Sequence, residues 1–151
     1  MKERDWDGAS IVILDFGSQY TQLIARRIRA AHVFSVILPN DASIEEIRAE
    51  KPVGIVLSGG PASVIADGSP GLEADIFSLG LPVLGICYGM QLISRDRGST
   101  IERAEHREYG HTMIEAETSN DLFHGTPASQ RVWMSHGDRV KTLPRGFRAI
   151  A

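Results

Sequence analysis

The 151-residue sequence contains a single cysteine, Cys87, so it cannot form an internal disulfide. It also has no excess of positive charge, since 16 basic residues against 19 acidic ones leave a formal net charge of −3. A nucleic-acid-binding surface would need a clustered basic excess. No apolar run is long enough to span a bilayer, and residues 1–10 contain no apolar stretch typical of a signal peptide. We therefore expect a cytoplasmic protein that binds neither nucleic acid nor a membrane.

Apolar runs of strand length alternate with segments of helical periodicity in the first two thirds of the chain. The runs are apolar throughout, which is typical of parallel strands buried on both faces. This pattern predicts an α/β fold with an open, mostly parallel sheet and helices on both faces, in one domain over residues 11–151 after an extension over 1–10. The predicted strands are 11–14, 33–38, 53–57, 82–86, 113–115, 131–134 and 147–151, and the predicted helices are 20–28, 44–49, 72–79 and 88–97. Ser18 is the predicted N-cap of the first helix, and Ser43 with Glu46 the capping box of the second.

The last predicted strand ends without a cap or a closing helix, so the chain is expected to be the front part of a domain. In an open parallel sheet, ligands bind outside the carboxyl ends of the strands. Four polar or glycine-rich segments follow predicted strands, and these are the candidate functional segments: residues 15–17, 58–61, Cys87 and 135–138.

Cys87 lies in the pattern Gly-x-Cys-x-Gly between a predicted strand and a predicted helix. This is the cysteine form of a nucleophile elbow, in which a sharp turn lifts the reactive atom to the top of the sheet. Gly85 and Gly89 would avoid clashes where the backbone approaches itself, and the helix N-terminus would favour the thiolate. The alternative is a buried cysteine that packs as a small apolar residue. The flanking glycines favour the nucleophile.

A cysteine nucleophile needs a base, and the sequence offers five histidines. His136 is the best placed by spacing, because it follows a predicted strand and shares a predicted turn with Ser135, Gly137 and Asp138. The other four histidines have no partner pattern and are interpreted as surface residues.

The segment Ser58-Gly59-Gly60-Pro61 has three possible interpretations. A phosphate-binding loop of the Walker type needs a lysine after its second glycine, and no lysine occurs between Lys51 and Lys141. The backbone amides could instead stabilise an oxyanion, a task that suits glycine because the amides must be free to turn. The third possibility is an ordinary glycine turn.

The segment "GICYGMQ" (85–91) resembles the catalytic segment of class I glutamine amidotransferases, whose triad is Cys, His and Glu. Four more segments are similar to the glutaminase domain of the GMP synthase branch of that family: "ILDFGSQYTQLIARRIR" (13–29), "GIVLSGGPASV" (54–64), "REYGHTMIE" (107–115) and "VWMSHGDRV" (132–140). The resemblance implies a flavodoxin-like fold and hydrolysis of glutamine to glutamate and ammonia, the ammonia then aminating XMP to GMP.

The resemblance also implies a role for individual residues. Cys87 would be the nucleophile that forms a thioester, and the N–H groups of Gly60 and Tyr88 would form the oxyanion hole. Gln91 would bind the substrate L-glutamine. Glutamine would also be bound by the segment Ser135, His136, Gly137 and Asp138. The resemblance therefore makes His136 a substrate-binding residue, and another histidine would be the base.

In the family, the base and its glutamate lie in a His-Pro-Glu segment that would follow residue 151. The chain is thus expected to have little or no glutaminase activity alone. The resemblance implies no cofactor or metal in this chain, and it implies ATP and Mg²⁺ for an ATP-pyrophosphatase domain in the same polypeptide or in a separate one. Two alternatives remain open: another cysteine-elbow hydrolase of the superfamily, and a non-catalytic regulatory or docking module.

Overall fold

A computed structural model describes the chain from Ser10 to Ala151, with the backbone but not the side chains described at 105–108 and 136. The predicted extension over residues 1–10 lies, apart from Ser10, outside the described residues. The described chain divides between Ile93 and Ser94 into two compact units. None of its described helices is both long and apolar enough to cross a membrane.

The first unit is built on a four-stranded sheet in which all neighbouring strands are parallel, as the sequence predicts. The strand order is β2-β1-β3-β4, so the first strand is central. The elements are β1 (Ser10–Asp15), α1 (Thr21–Ala30), β2 (Phe34–Pro39), α2 (Ile44–Ala49), β3 (Pro52–Leu57), a 3₁₀ helix (Ile76–Leu79), β4 (Val83–Gly85) and α3 (Tyr88–Asp96), which runs past the boundary of the unit.

The core of this unit fills both faces of the sheet. On one face Ile13 and Val56 pack against Ala25 of α1. Residues next to these along the strands point to the opposite face, because side chains alternate along a strand. They are buried as well: Val12, Leu14, Ile55 and Leu57. Burial on both faces explains why the strands contain no polar alternation.

The helix starts confirm one of the two predicted caps. At α2, the Ser43 hydroxyl accepts from the Glu46 N–H while the Glu46 carboxylate accepts from the Ser43 N–H, which is the predicted capping box. At α1 the prediction of Ser18 as N-cap is wrong, since Tyr20 occupies that position. The Ser18 hydroxyl accepts instead from the Tyr20 N–H, so it closes the turn before the helix.

The predicted helix over 72–79 is replaced by the short 3₁₀ helix. Two carbonyl groups before it already accept long-range hydrogen bonds, because the Tyr88 hydroxyl donates to Pro70 O and Asn40 Nδ2 donates to Gly71 O. The Gly71 carbonyl thus bonds to the side chain of Asn40 instead of to a helical N–H. Asp75 has a ψ of 79°, which is not helical. Tertiary contacts therefore override the helical spacing of the apolar residues.

The second unit contains a two-stranded antiparallel ribbon of β5 (Ile101–Glu115) and β6 (Ser129–Val140). The predicted strands 113–115 and 131–134 lie within it, but the ribbon extends far beyond both. The predicted strand 147–151 is wrong. The chain turns there, with the Phe147 N–H donating to Pro144 O, and in this segment only Ile150 O has a backbone bond to a distant described residue, the Glu117 N–H.

Candidate active site

The turn between β4 and α3 has the shape of a nucleophile elbow. Cys87, at its tip, has a φ of 49°, a left-handed conformation that is costly for a residue with a side chain. A Cβ at Gly85 would lie 2.7 Å from the carbonyl carbon of Gly89, and one at Gly89 would lie 2.5 Å from Leu57 O. Both glycines are therefore required by close approach, as predicted. The thiol is exposed and available to a substrate.

The glycine segment after β3 lies beside the elbow. A Cβ at Gly59 would be 3.6 Å from the Cβ of Cys87, and one at Gly60 would be 2.5 Å from Phe16 O. Within the described part of the chain, the backbone N–H groups of Gly60 and Tyr88 have no hydrogen-bond acceptor. The first unit therefore brings together the nucleophile and two amides that could stabilise an oxyanion.

Polar residues at the carboxyl ends of β1 and β3 hold this glycine segment. The Ser58 hydroxyl, fully buried, accepts from the Phe16 N–H at 2.9 Å and donates to Gly59 O at 2.8 Å. Asp15 Oδ1 accepts from the Gly17 N–H and from the Thr21 hydroxyl. Asp15 and Ser58 belong to two of the candidate segments, which were predicted because they directly follow predicted strands. The sequence did not indicate a role for either side chain, because their hydrogen-bond partners are set by the packing of β1 against β3.

The side chain of Tyr88 links the elbow to the rest of the first unit. It is 2% exposed, its ring centroid lies 5.4 Å from that of Phe16, and its hydroxyl donates to Pro70 O. Gln91, one turn later in α3, is buried, and its N–H donates to Cys87 O. The start of α3 is therefore fixed by contacts with Phe16, directly after β1, and with the 61–75 loop.

The predicted turn over Ser135, His136, Gly137 and Asp138 is wrong. All four residues lie inside β6, where Ser135 pairs with Tyr109 and Asp138 with Arg103. The turn-forming composition is overridden by cross-strand pairing, and the register shifts between Arg103 and Glu108, opposite this segment. Ser135 is exposed and Asp138 is buried. The His136 side chain, the base expected from spacing, lies outside the described side chains.

The model of the family Glutamine amidotransferase class-I matches residues 12–151. Among curated proteins, GMP synthase [glutamine-hydrolyzing] of Lactobacillus acidophilus is 53% identical over 96% of this chain, and that of Staphylococcus aureus is 55% identical over 93%. The match covers 28% and 27% of those two relatives, so this chain spans just over a quarter of their length.

Solved structures agree with this assignment. A Thermoplasma acidophilum protein described as one of the subunits of a GMP synthase is 33% identical, with a TM-score of 0.76 over 91% of this chain and 69% of its own. A glutamine amidotransferase from Thermotoga maritima shares the fold, with a TM-score of 0.66 over 91% of this chain and 64% of its own, at 21% identity. The chain therefore belongs to the class I glutamine amidotransferase family.

Proposed function

We propose that this chain is the glutaminase part of a GMP synthase, in which Cys87 removes ammonia from the side-chain amide of glutamine. One observation carries the proposal: Cys87 stands at a strained elbow against Gly59, on a chain 52–55% identical to glutamine-hydrolysing GMP synthases. A strained, exposed nucleophile is expected at a site that performs covalent catalysis.

The chemistry follows from the elbow. The Cys87 thiolate attacks the amide carbon, a C–S bond forms, and the carbonyl electron pair moves to oxygen. The N–H groups of Gly60 and Tyr88 stabilise that oxyanion, a contact worth about 3 kcal/mol per donor. Collapse of the intermediate breaks the C–N bond, and the departing nitrogen takes a proton to leave as ammonia. Water then hydrolyses the thioester to glutamate, through a second oxyanion at the same amides.

Glutamine binding is assigned to Gln91 and to the segment Ser135–Asp138, and the base to residues that the longer relatives have beyond the matched segment. The partner is an ATP-pyrophosphatase domain that uses ATP and Mg²⁺ to activate XMP for attack by ammonia. No residue of this chain is assigned to ATP or Mg²⁺. We place the protein in the cytoplasm, where these substrates occur.

The test is a chimaera in which this chain replaces the matching N-terminal segment of the Lactobacillus acidophilus GMP synthase, which is 53% identical to it. GMP formation from XMP and ATP is measured with glutamine and, separately, with ammonium as nitrogen donor. The matched control is Cys87→Ala. We expect the chimaera to use both donors and the Cys87→Ala variant to use ammonium alone.

The other outcomes identify the alternatives. A chimaera that uses ammonium but not glutamine would favour the non-catalytic docking module, or a cysteine hydrolase that acts on another substrate. Glutamine-dependent GMP formation that survives Cys87→Ala would mean that the Cys87 thiol is not the nucleophile, and it would overturn the proposal.

A further inference from the structure

Ser58 lies between the two halves of the proposed oxyanion site. Its N–H donates to Leu14 O in β1, and its carbonyl accepts from the Gly89 N–H at 3.1 Å in the elbow. The backbone of this one residue therefore connects the central strand to the turn that carries Cys87. Its hydroxyl is the only part of it left to act on the glycine segment.

That hydroxyl has a fixed direction. Its oxygen accepts from the Phe16 N–H at 2.9 Å, and its proton has two acceptors, Gly59 O at 2.8 Å and Asp15 Oδ1 at 3.5 Å. A hydroxyl has one proton, and the shorter contact is to Gly59 O. The proton therefore lies on the Gly59 side.

The bond to Gly59 O determines the orientation of an entire peptide group. The carbonyl of Gly59 and the N–H of Gly60 belong to the same planar unit, and in a trans peptide they point in opposite directions. Glycine peptides turn easily because no Cβ restricts them. A donor that holds the Gly59 carbonyl in place thus also holds the Gly60 N–H.

We propose that Ser58 is a positioning residue, whose hydroxyl fixes the Gly59–Gly60 peptide so that the Gly60 N–H faces the oxyanion formed at Cys87. The inference rests on the proposed thioester chemistry and adds to it the group that preorganises the site. Without this hydroxyl the peptide can rotate, and the site then has to reorganise during the reaction.

The experiment compares two reactions of Cys87 in the 151-residue chain. Acylation by p-nitrophenyl acetate passes through an oxyanion: the thiolate adds to the carbonyl carbon, and collapse expels p-nitrophenolate. Alkylation by iodoacetamide forms the C–S bond as iodide leaves, with no oxyanion. Because Cys87 is the only cysteine, Cys87→Ala supplies the background for both rates. Their ratio reports the oxyanion site independently of thiol exposure and ionisation.

We expect Ser58→Ala to lower the acylation rate about 10-fold, less than the 100-fold or more for loss of a whole donor, while the alkylation rate stays within about twofold. The matched control is Ser35→Ala, since Ser35 is equally buried in the same unit and its hydroxyl donates to Ala25 O at 3.1 Å. It should leave the ratio unchanged. Equal slowing of both reactions in Ser58→Ala, no change in either, or the same loss of ratio in Ser35→Ala would overturn the proposal.

Circular dichroism establishes whether Ser58→Ala folds. If it does not, Ser58→Thr, which keeps the hydroxyl, takes its place: a ratio near that of the wild type supports the proposal, and a ratio about 10-fold lower contradicts it. Glutamine is absent from this test. Failure of the chimaera to hydrolyse glutamine and failure of Ser58 to affect the ratio are therefore separate results.

Discussion

Gly85 and Gly89 flank the nucleophile for a reason that concerns space rather than backbone freedom. Neither has a positive φ, yet a Cβ on either would enter the backbone or the side chain of a neighbour. Crowding of this kind cannot be relieved by changing a rotamer, because the obstructing atoms belong largely to the backbone. A larger residue at Gly89 would push α3 away from Leu57 in β3, and one at Gly85 would push the end of β4 away from the first turn of α3.

We predict that Gly89→Ala lowers the free energy of unfolding by about 3 kcal/mol, because its Cβ would lie 2.5 Å from Leu57 O. Urea unfolding measures the change. The control is Gly68→Ala, where φ is 72° but no atom lies within 4 Å of the added Cβ. It should cost only about 1 kcal/mol, from conformational strain. Equal losses in the two variants would show that crowding is not the dominant effect.

At the scale of single elements, α2 depends on its first turn. It has only six residues, so it gains little from its own backbone hydrogen bonds. Hydrogen bonds from the Ser43 N–H, and then from its hydroxyl, hold the pKa of Glu46 below its usual value. The lowered pKa and the capping box are thus two results of the same contacts.

Replacing Ser43 by alanine should cost about 1 kcal/mol of stability, because the Glu46 N–H loses its acceptor. Urea unfolding and hydrogen exchange at the Glu46 amide are the measurements. Ser43→Thr keeps a hydroxyl and should retain most of the wild-type stability. If threonine proved as destabilising as alanine, the capping bond would not be the cause.

The ribbon of β5 and β6 has an ion-pair cluster near one end. Glu102 contacts Lys141 and Arg139, and hydrogen bonds from Lys141 and then Arg139 hold the pKa of Glu102 below its usual value of 4.5. A carboxyl group with a lowered pKa stabilises the fold above its unfolded-state pKa. That contribution is lost as the pH falls through the folded-state pKa.

Glu102→Gln should therefore destabilise the protein near neutral pH, and the difference from the wild type should shrink as the pH falls below about 4.5. Denaturant unfolding at about pH 7 and about pH 3.5 measures this. Glu115→Gln, which removes a carboxylate at the other end of β5, is the control. A difference that stays constant over the range would argue against the ion pairs as its source.

The sequence predicted the elements of the first unit more closely than those of the second. Buried parallel strands are apolar throughout, so β1 and β3 stand out along the chain, and the Gly-x-Cys-x-Gly spacing encodes a local turn. The ribbon has a strand signal only at 113–115 and 131–134, which are short parts of β5 and β6. Its strands contain charged and turn-forming residues, such as Gly110 and Gly137, and only their pairing with each other makes them strands.

The residues of the candidate site also differ in how well the sequence predicts them. Cys87 follows from a local pattern, the two glycines that flank it at the end of a strand, whereas the Gly60 and Tyr88 amides were proposed from the family resemblance. The role of Ser58 follows from neither, because it arises from hydrogen bonds to residues about forty positions away. Contacts over such distances are set by the register of β1 and β3, which the sequence alone does not state.

For the whole molecule, the chain matches 28% of the Lactobacillus acidophilus relative. We predict that the isolated 151-residue chain releases ammonia from glutamine at least about 100-fold more slowly than the chimaera, since general base catalysis contributes about that factor or more. A coupled ammonia assay on both proteins, with Cys87→Ala as blank, measures the difference. A rate for the isolated chain equal to that of the chimaera would place the base among residues 1–151.

The left-handed backbone of Cys87 has a consequence for the fold as a whole. Glycine would adopt this conformation without the penalty of about 1 kcal/mol, and an exposed thiol loses little burial when it is removed. The residue on which the proposed chemistry depends is thus among the poorer choices for stability at its own position. Directed evolution for heat resistance alone would tend to discard it, so any such selection on this protein must also require turnover.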